Sequence, residues 1–224
     1  MQTRPYSTKD GMKCWLSTNE QEALLATVEN DTRRELAMSL GLCGLRTAEI
    51  EAVERRNFRR ATSADGSVWK VAIEEGKTGD REVPVPQEVR DLAERLANSA
   101  GLRKDEPLVG RATRTLRSWM EGARNQIADS LEDDGRDDDA EEWREVGMHD
   151  LRRTWATDTY YKLAMANVPI AETLVMGWGG WVMNEKGRET FREEYLGPEP
   201  DFVAVEASDV LGLGASESAS SLLK

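Results

Sequence analysis

Residues 149–157 read HDLRRTWAT. They open a helical stretch that runs to about residue 165, where Asn167 and Pro169 end it. His149 stands at the start of that helix and Arg152 follows three residues later. Side chains at i and i+3 share a helix face, so an imidazole and a guanidinium converge there on one target. The pair alone carries little weight, because a single histidine near a helix start is commonly a polar cap or a packing residue. Its meaning depends on what stands elsewhere in the chain.

Upstream, residues 41–50 read GLCGLRTAEI and place Arg46 between an apolar helix end and a short helix, TAEIEAV, capped by Thr47. Taken singly, Arg46 in a glycine-flanked turn caps carbonyls or pairs with Glu49. Two alternating segments follow, SVWKVAI at 67–73 and REVPVP at 81–86, joined by the turn GKTGD. With NFRRA at 57–61 they predict a small antiparallel sheet of two or three strands near residues 57–85. Lys77 sits in that turn, where a lysine ordinarily serves only as a solubilising charge. Downstream, the short helix IAETLVM leads into the glycines of MGWGGW, and a helix over 185–195 ends at Tyr195 in FREEYLGP, just before a Gly-Pro break. A tyrosine in that place is ordinarily a packing residue with a wet hydroxyl.

The rest of the chain reads as mostly helical. Ser17-Thr18-Asn19-Glu20 fits a capping box, with Leu16 as a hydrophobic staple, and opens a helix to about Glu29. Further helices are predicted over 32–42, 87–99 and 113–131. Residues 1–15 lack periodicity and read as an arm or linker. The run LEDDGRDDDAEE at 131–142 reads as a solvated acidic loop. The tail contains a short helix near 201–211 with apolar Phe202, Val203, Val205, Val210 and Leu211, then a serine-rich end.

Composition limits the function classes. The chain has 224 residues, 39% of them hydrophobic, enough for one large or two small domains. No apolar run approaches a membrane span, and the N-terminus lacks a signal-peptide core, which predicts a cytoplasmic protein. Two cysteines, Cys14 and Cys43, and one histidine provide neither a disulfide framework nor a typical zinc set, so no metal or other cofactor is expected. The net charge of −12 is awkward for a partner rich in phosphate. However, residues 129–145 hold ten acids against two bases and residues 197–224 hold five against one, which leaves the remainder neutral. A basic face can form there if its charges segregate. Arginine outnumbers lysine 22 to 8, and the acids spread over most helices, as in proteins of a high-salt cytoplasm.

Taken in order, the chain shows Arg46 in GLRTAEI, Lys77 in a β-turn, His149 and Arg152 in HDLRRTWAT, a Gly/Trp turn, and Tyr195 ahead of a tail. The series resembles the catalytic domain of the tyrosine recombinases, the phage-integrase family, over about residues 16–197. The HxxR and GLRxxE elements are the most specific. The ending WGGW…ETFREEYLG most resembles archaeal, especially haloarchaeal, integrases, in agreement with the acidic composition. The resemblance implies an α+β, mainly helical, tyrosine recombinase catalytic-domain fold. It divides the chain into an arm or linker (1–15), the catalytic domain (16–197) and a tail (198–224) that docks in cis or on a neighbouring protomer.

The same resemblance implies a site-specific DNA recombinase or integrase that breaks and rejoins strands through a 3′-phosphotyrosyl intermediate, with double-stranded DNA as partner and a homo-tetramer in the synapse. Arg46 and Arg152 match the two arginines that clamp the scissile phosphate, and Lys77 matches the lysine that protonates the leaving 5′ oxygen. His149 matches the histidine that assists proton transfer, Tyr195 the nucleophile, and Glu49 an acid supporting the first arginine. Trp181 matches a position held by His or Trp, with Trp178 as the alternative, because the fourteen residues from Trp181 to Tyr195 exceed the family's spacing. Should Tyr195 not serve, Tyr160 and Tyr161 are the next tyrosines to consider. Family members carry a helical DNA-clamping domain ahead of the catalytic one, and only 15 residues precede it here, so the chain reads as either a truncated piece or a minimal recombinase.

The chemistry is coherent without the family. Phosphoryl transfer needs charge stabilisation on the non-bridging oxygens, and two guanidiniums supply it bidentately without a metal. A phenol is largely protonated at neutral pH and needs a base or nearby positive charge to attack. Two other readings compete: a catalytically idle DNA-binding relative that regulates a mobile element, and an acidic protein-interaction module. A type IB topoisomerase shares the phosphotyrosine chemistry, but GLRTAEI and HDLRRTW look more like integrases.

Overall fold

The helix begun by HDLRRTWAT extends from Met148 to Met165 and passes through the middle of the molecule (α7). In the computed structural model, which describes residues 1–74, 76 and 79–211, every residue from Asp150 to Thr157 is buried. A helix enclosed on all sides must find partners for its polar groups, and this one carries Asp150, Arg152, Arg153, Thr154 and Thr157. Those groups fix what packs around it.

The layers around α7 follow from sequence signals. Ser17 accepts from the Glu20 amide while the Glu20 carboxylate takes the Ser17 amide at 2.7 Å, and this capping box starts helix Thr18–Val28 (α1). Asp31 caps Thr32–Gly41 (α2) through the amides of Arg33 and Arg34. The short helix Thr47–Ala52 (α3) begins with Arg46 in the cap position rather than Thr47, and Glu49 closes the turn by accepting the Arg46 amide. Helices Gln87–Ala100 (α4) and Thr113–Asp133 (α5) each bury one apolar stripe. Helices Ala171–Gly179 (α8), Glu185–Glu194 (α9) and Asp201–Leu211 (α10) complete the helical layer.

The expected antiparallel sheet is present with three strands in the order in which they occur. Phe58–Ser63 pairs with Gly66–Ile73, which pairs with Arg81–Val85. Val71, Ile73, Val83 and Val85 point into the core. The sheet leans on α8 and α4, which brings Arg81 beside α3.

Two expectations are overturned. Residues 1–15 are not a free arm over their whole length, for Gln2–Pro5 (β1) and Met12–Trp15 (β2) form an antiparallel hairpin. Cys14, Trp15 and even Lys13 are buried, and the Cys14 amide donates to the Asp150 carboxylate at 3.1 Å. Four-residue strands are too short to announce themselves by periodicity, and their stability comes from α7. The acidic run is not a loop either. Helix α5 extends to Asp133, and Asp137–Glu145 forms a further helix (α6) that lies antiparallel against it. Three aspartates in its first turn favour the positive end of the helix dipole, and Ala140 and Trp143 are buried beneath the acidic face. The tail's expected helix does form as α10. Phe202 lies near Lys162, while Val205 and Leu211 are exposed.

The α6 packing can be checked by substitution. Trp143→Ala should lower stability by about 3–5 kcal/mol, as for other large-to-small core changes. Asp138→Asn on the exposed face should stay within about 0.5 kcal/mol. Urea unfolding of both variants measures the difference, and equal small effects would return the segment to a solvated loop.

Candidate active site

Arg152 is the largest fully buried side chain of the chain's described core, with no exposed surface. Its guanidinium is held by two backbone carbonyls. One is that of Gly44, in a close hydrogen bond, and the other is that of Gly179, at 2.6 Å. Gly44 has a φ of +86°, and a Cβ there would lie 2.3 Å from the Trp155 ring, so the turn in GLCGLR admits only glycine. Gly179 is equally constrained, since a Cβ would meet Trp181 at 1.8 Å. The Arg152 Nε has no hydrogen-bond partner among the described residues. Burial, with the nearby positive charge of Arg46, pushes the guanidinium down to about 9, which leaves it cationic at neutral pH.

Arg46 reaches the same turn. Its guanidinium donates to the Gly180 carbonyl at 2.7 Å and to Glu49 at 2.8 Å. The two arginines therefore hang on consecutive carbonyls, Gly179 and Gly180, at the end of α8. Glu49 is held from the other side by Arg81, which donates to both carboxylate oxygens at 2.8 and 2.7 Å and to the Trp178 carbonyl at 2.8 Å. Burial pushes the Glu49 carboxyl up, but the hydrogen bonds and charge of Arg81 and Arg46 outweigh it and hold the group below the usual carboxylate range. Glu49 thus remains an anion that fixes two cations.

Tyr195 ends α9 as its C-cap residue. Its ring lies 4.6 Å from Trp181 and 5.1 Å from His149, both edge-on, and 5.5 Å from the Arg152 guanidinium. Arg152 also stacks over Trp181 at 4.2 Å. His149 keeps an exposed edge at the start of α7 while its inner side faces this cluster. Desolvation of that side, followed by the charges of Arg153, Arg152 and Arg46, holds its pKa well below the ordinary 6.5.

Arg46, Glu49, His149, Arg152, Trp181 and Tyr195 therefore come together. Of the two tryptophans, Trp181 is buried in the cluster, whereas Trp178 lies at the molecule's edge beside Val68, Pro84 and Trp155. Lys77 lies outside the described residues. Tyr160 and Tyr161 pack against each other further along α7, and Tyr160 also meets Phe191, away from the arginine pair.

Several participants were not legible in the sequence. Arg81 follows the turn GKTGD, and nothing in the spacing announces that it meets Glu49, 32 residues away. Arg153 is the second arginine of HDLRR. It pairs with Asp150 and donates to the Glu194 carbonyl at 2.8 Å. Trp15 and Thr157 both donate to the Tyr195 carbonyl, at 2.9 and 3.0 Å.

No family model and no curated protein matches the chain. Among solved structures, it is similar to XerH site-specific recombinase bound to palindromic difH substrate in a post-cleavage complex, with a TM-score of 0.57 and 18% identity over 87% of this chain and 52% of that one. The XerH pre-cleavage complex with difH gives a TM-score of 0.55 and 17% identity, over 87% of this chain and 53% of that one. The chain spans about half the length of these XerH structures. XerA recombinase is also similar, with a TM-score of 0.49 and 15% identity over 87% of this chain and 66% of that one. The helices around α7, the three-stranded sheet and the two XerH structures agree: the chain has the tyrosine recombinase catalytic-domain fold.

Proposed function

We propose that the protein is a site-specific DNA recombinase or integrase and that Tyr195 is its nucleophile. The observation that carries this reading is the convergence of the Arg152 guanidinium, an imidazole and an indole on one half-buried tyrosine, with the Arg46 guanidinium on the adjoining carbonyl. In the reaction, the Tyr195 oxygen attacks the phosphorus of one strand and forms a 3′-phosphotyrosyl bond. The bond from phosphorus to the 5′ oxygen breaks, and that oxygen leaves with a proton. The phenolic proton passes to His149, which is neutral in the free protein and gains basicity once the phosphate offsets the arginine charges that depress its pKa. Lys77 is assigned the protonation of the leaving oxygen. A 5′ hydroxyl from another strand then attacks the phosphotyrosine, joins the strands and restores the phenol.

Arg46 and Arg152 neutralise the non-bridging oxygens, with Glu49 orienting Arg46. The partnerless Nε of Arg152 supports this role, because a buried donor costs about 1–3 kcal/mol unless satisfied, and a phosphate oxygen satisfies it. Trp181 walls the site and packs against both Arg152 and Tyr195. The Tyr195 ring covers Arg152 in the free protein, so phosphate enters as that ring turns aside.

Double-stranded DNA needs a cationic track on an acidic protein. Arg111, Arg114 and Arg117 are exposed at the start of α5 and pair with no acid among the described residues, unlike most other arginines of the chain. The Thr113 amide and hydroxyl are tied to Glu51 at 3.1 and 3.2 Å, two residues from Glu49, so this track borders α3. Four protomers on two duplexes, with α10 docking in cis or in trans, complete the assembly we assign. The archaeal, high-salt origin suggested by composition and a cytoplasmic setting belong to the same reading. No described helix is long and apolar enough to cross a membrane.

Three outcomes are expected. On a pool of nicked duplexes of randomised sequence, where the released end diffuses away, the wild type should form an adduct that survives SDS. Tyr195→Phe should form none while binding DNA with unchanged affinity. DNA binding by the wild type without any adduct would favour the idle, regulatory relative instead. In the second test, Arg114→Ala and Arg117→Ala should each weaken duplex binding across sequences and lower the slope of log affinity against log salt by about 0.9. An unchanged slope would move the track elsewhere.

The third outcome concerns pH. The folded-state pKa of His149 lies below its unfolded value of 6.5, so protonation favours the unfolded chain. This contribution is harmless above pH 6.5 and becomes destabilising as the pH falls below it. His149→Gln should therefore lose less stability than the wild type between neutral pH and mild acid, as measured by urea unfolding across that range. Parallel curves would show that the imidazole protonates as freely folded as unfolded.

A further inference from the structure

We propose that the N-terminal hairpin and α7 together form a fixed mount for the nucleophile, with Lys13, Trp15, Arg153 and Thr157 as positioning residues that hold the Tyr195 backbone while its side chain alone moves. The inference rests on the recombinase reading for its catalytic consequence, but its structural content stands apart from that reading.

The last carbonyls of a helix lack partners within it, and water usually satisfies them. At the end of α9, three consecutive ones are taken by side chains from outside the helix. The Glu193 carbonyl accepts from Lys13 at 3.0 Å, and the Glu194 carbonyl accepts from Arg153 at 2.8 Å. The Tyr195 carbonyl accepts from both Trp15 and Thr157, at 2.9 and 3.0 Å. Thr157 then accepts the Gly197 amide at 2.8 Å, which closes the segment on its far side. Lys13 also pairs with the Glu194 carboxylate at 2.9 Å.

These donors are themselves buried. Lys13 is buried, which is rare for a lysine, and Arg153 is buried against Asp150. Asp150 in turn accepts the Cys14 amide, so hairpin, α7 and α9 are joined through one carboxylate. Gly197 fits flat beneath Trp15, where a Cβ would lie 2.7 Å from the indole. Among the described residues the tyrosine ring makes no hydrogen bond, and its contacts are with the rings of His149 and Trp181 and with the guanidinium of Arg152. Rotation about the Tyr195 side-chain bonds therefore exposes Arg152 to a phosphate without melting α9. A mount of this kind matters because an attacking atom misplaced by about 1 Å can cost on the order of 100-fold in rate.

His149 is the only histidine in the chain, so its ring-proton NMR line is a single reporter of where the Tyr195 ring lies. The variants are Lys13→Met, Trp15→Phe and the near-isosteric Thr157→Val, with Thr157→Ser as the conservative rescue. The line should move in Lys13→Met, Trp15→Phe and Thr157→Val towards its position in Tyr195→Ala, and Thr157→Ser should return it. Amide exchange at residues 193–197 should accelerate in the same variants. On the nicked duplex pool, adduct formation should slow about 10- to 100-fold with duplex affinity unchanged.

A His149 line that stays in place in all three variants overturns the mount. So does a loss of adduct that merely parallels loss of melting temperature and of duplex affinity. If the wild type forms no adduct at all, the recombinase reading falls, while the NMR line and the amide exchange still decide the mount.

Discussion

A guanidinium buried in the middle of the molecule sets the terms for the rest of the structure. Arg152 has no exposed surface, and a buried cation is tolerated only when acceptors surround it. Two turns distant in sequence provide them, through the carbonyls of Gly44 and Gly179. The first turn comes close enough to α7 that a side chain on Gly44 would collide with Trp155, and a side chain on Gly179 would collide with Trp181, two residues on. The α2–α3 connection and the end of α8 are therefore pinned to the central helix by the same side chain. Arg46 follows, because its guanidinium takes the next carbonyl, Gly180.

The arrangement concentrates positive charge that the protein must balance without neutralising it. Glu49 is the balancing group, held by Arg81 as well as by Arg46, and its depressed pKa keeps it ionised. One carboxylate between two arginines leaves the local charge positive, as a phosphate would require. His149 responds in the opposite sense and is kept neutral by desolvation and by the charges of Arg153, Arg152 and Arg46. An acidic protein can thus hold a cationic centre, with its excess of acid carried elsewhere, notably on α6 and the tail.

The hairpin of residues 1–15 gives the centre its second constraint. Without it, the Glu193 carbonyl would lose Lys13 and the Tyr195 carbonyl would lose Trp15, leaving only Arg153 and Thr157 of α7 to hold the end of α9. With it, the backbone around the tyrosine is bound from two sides, and mobility is confined to one side chain. The acidic helix α6 contributes differently: it covers α5 and buries Trp143, while its aspartates face water.

The sequence by itself determined every helix but α6, the three-stranded sheet and most of the cluster. Capping residues, turn glycines and strict alternation are local signals, and the ordered set of Arg46, His149, Arg152 and Tyr195 is visible as residue types in a series. The packing of Trp181 against Arg152 and Tyr195, the pairing of Arg81 with Glu49 and the clamp of Lys13, Trp15 and Thr157 were decided only by tertiary structure. Each joins residues far apart in the chain, and each partner is individually an ordinary surface or packing residue. The hairpin and α6 escaped for the same reason. A four-residue strand and a helix with two buried residues carry too little periodic pattern, and their stability comes from the surfaces they meet after α7 is in place.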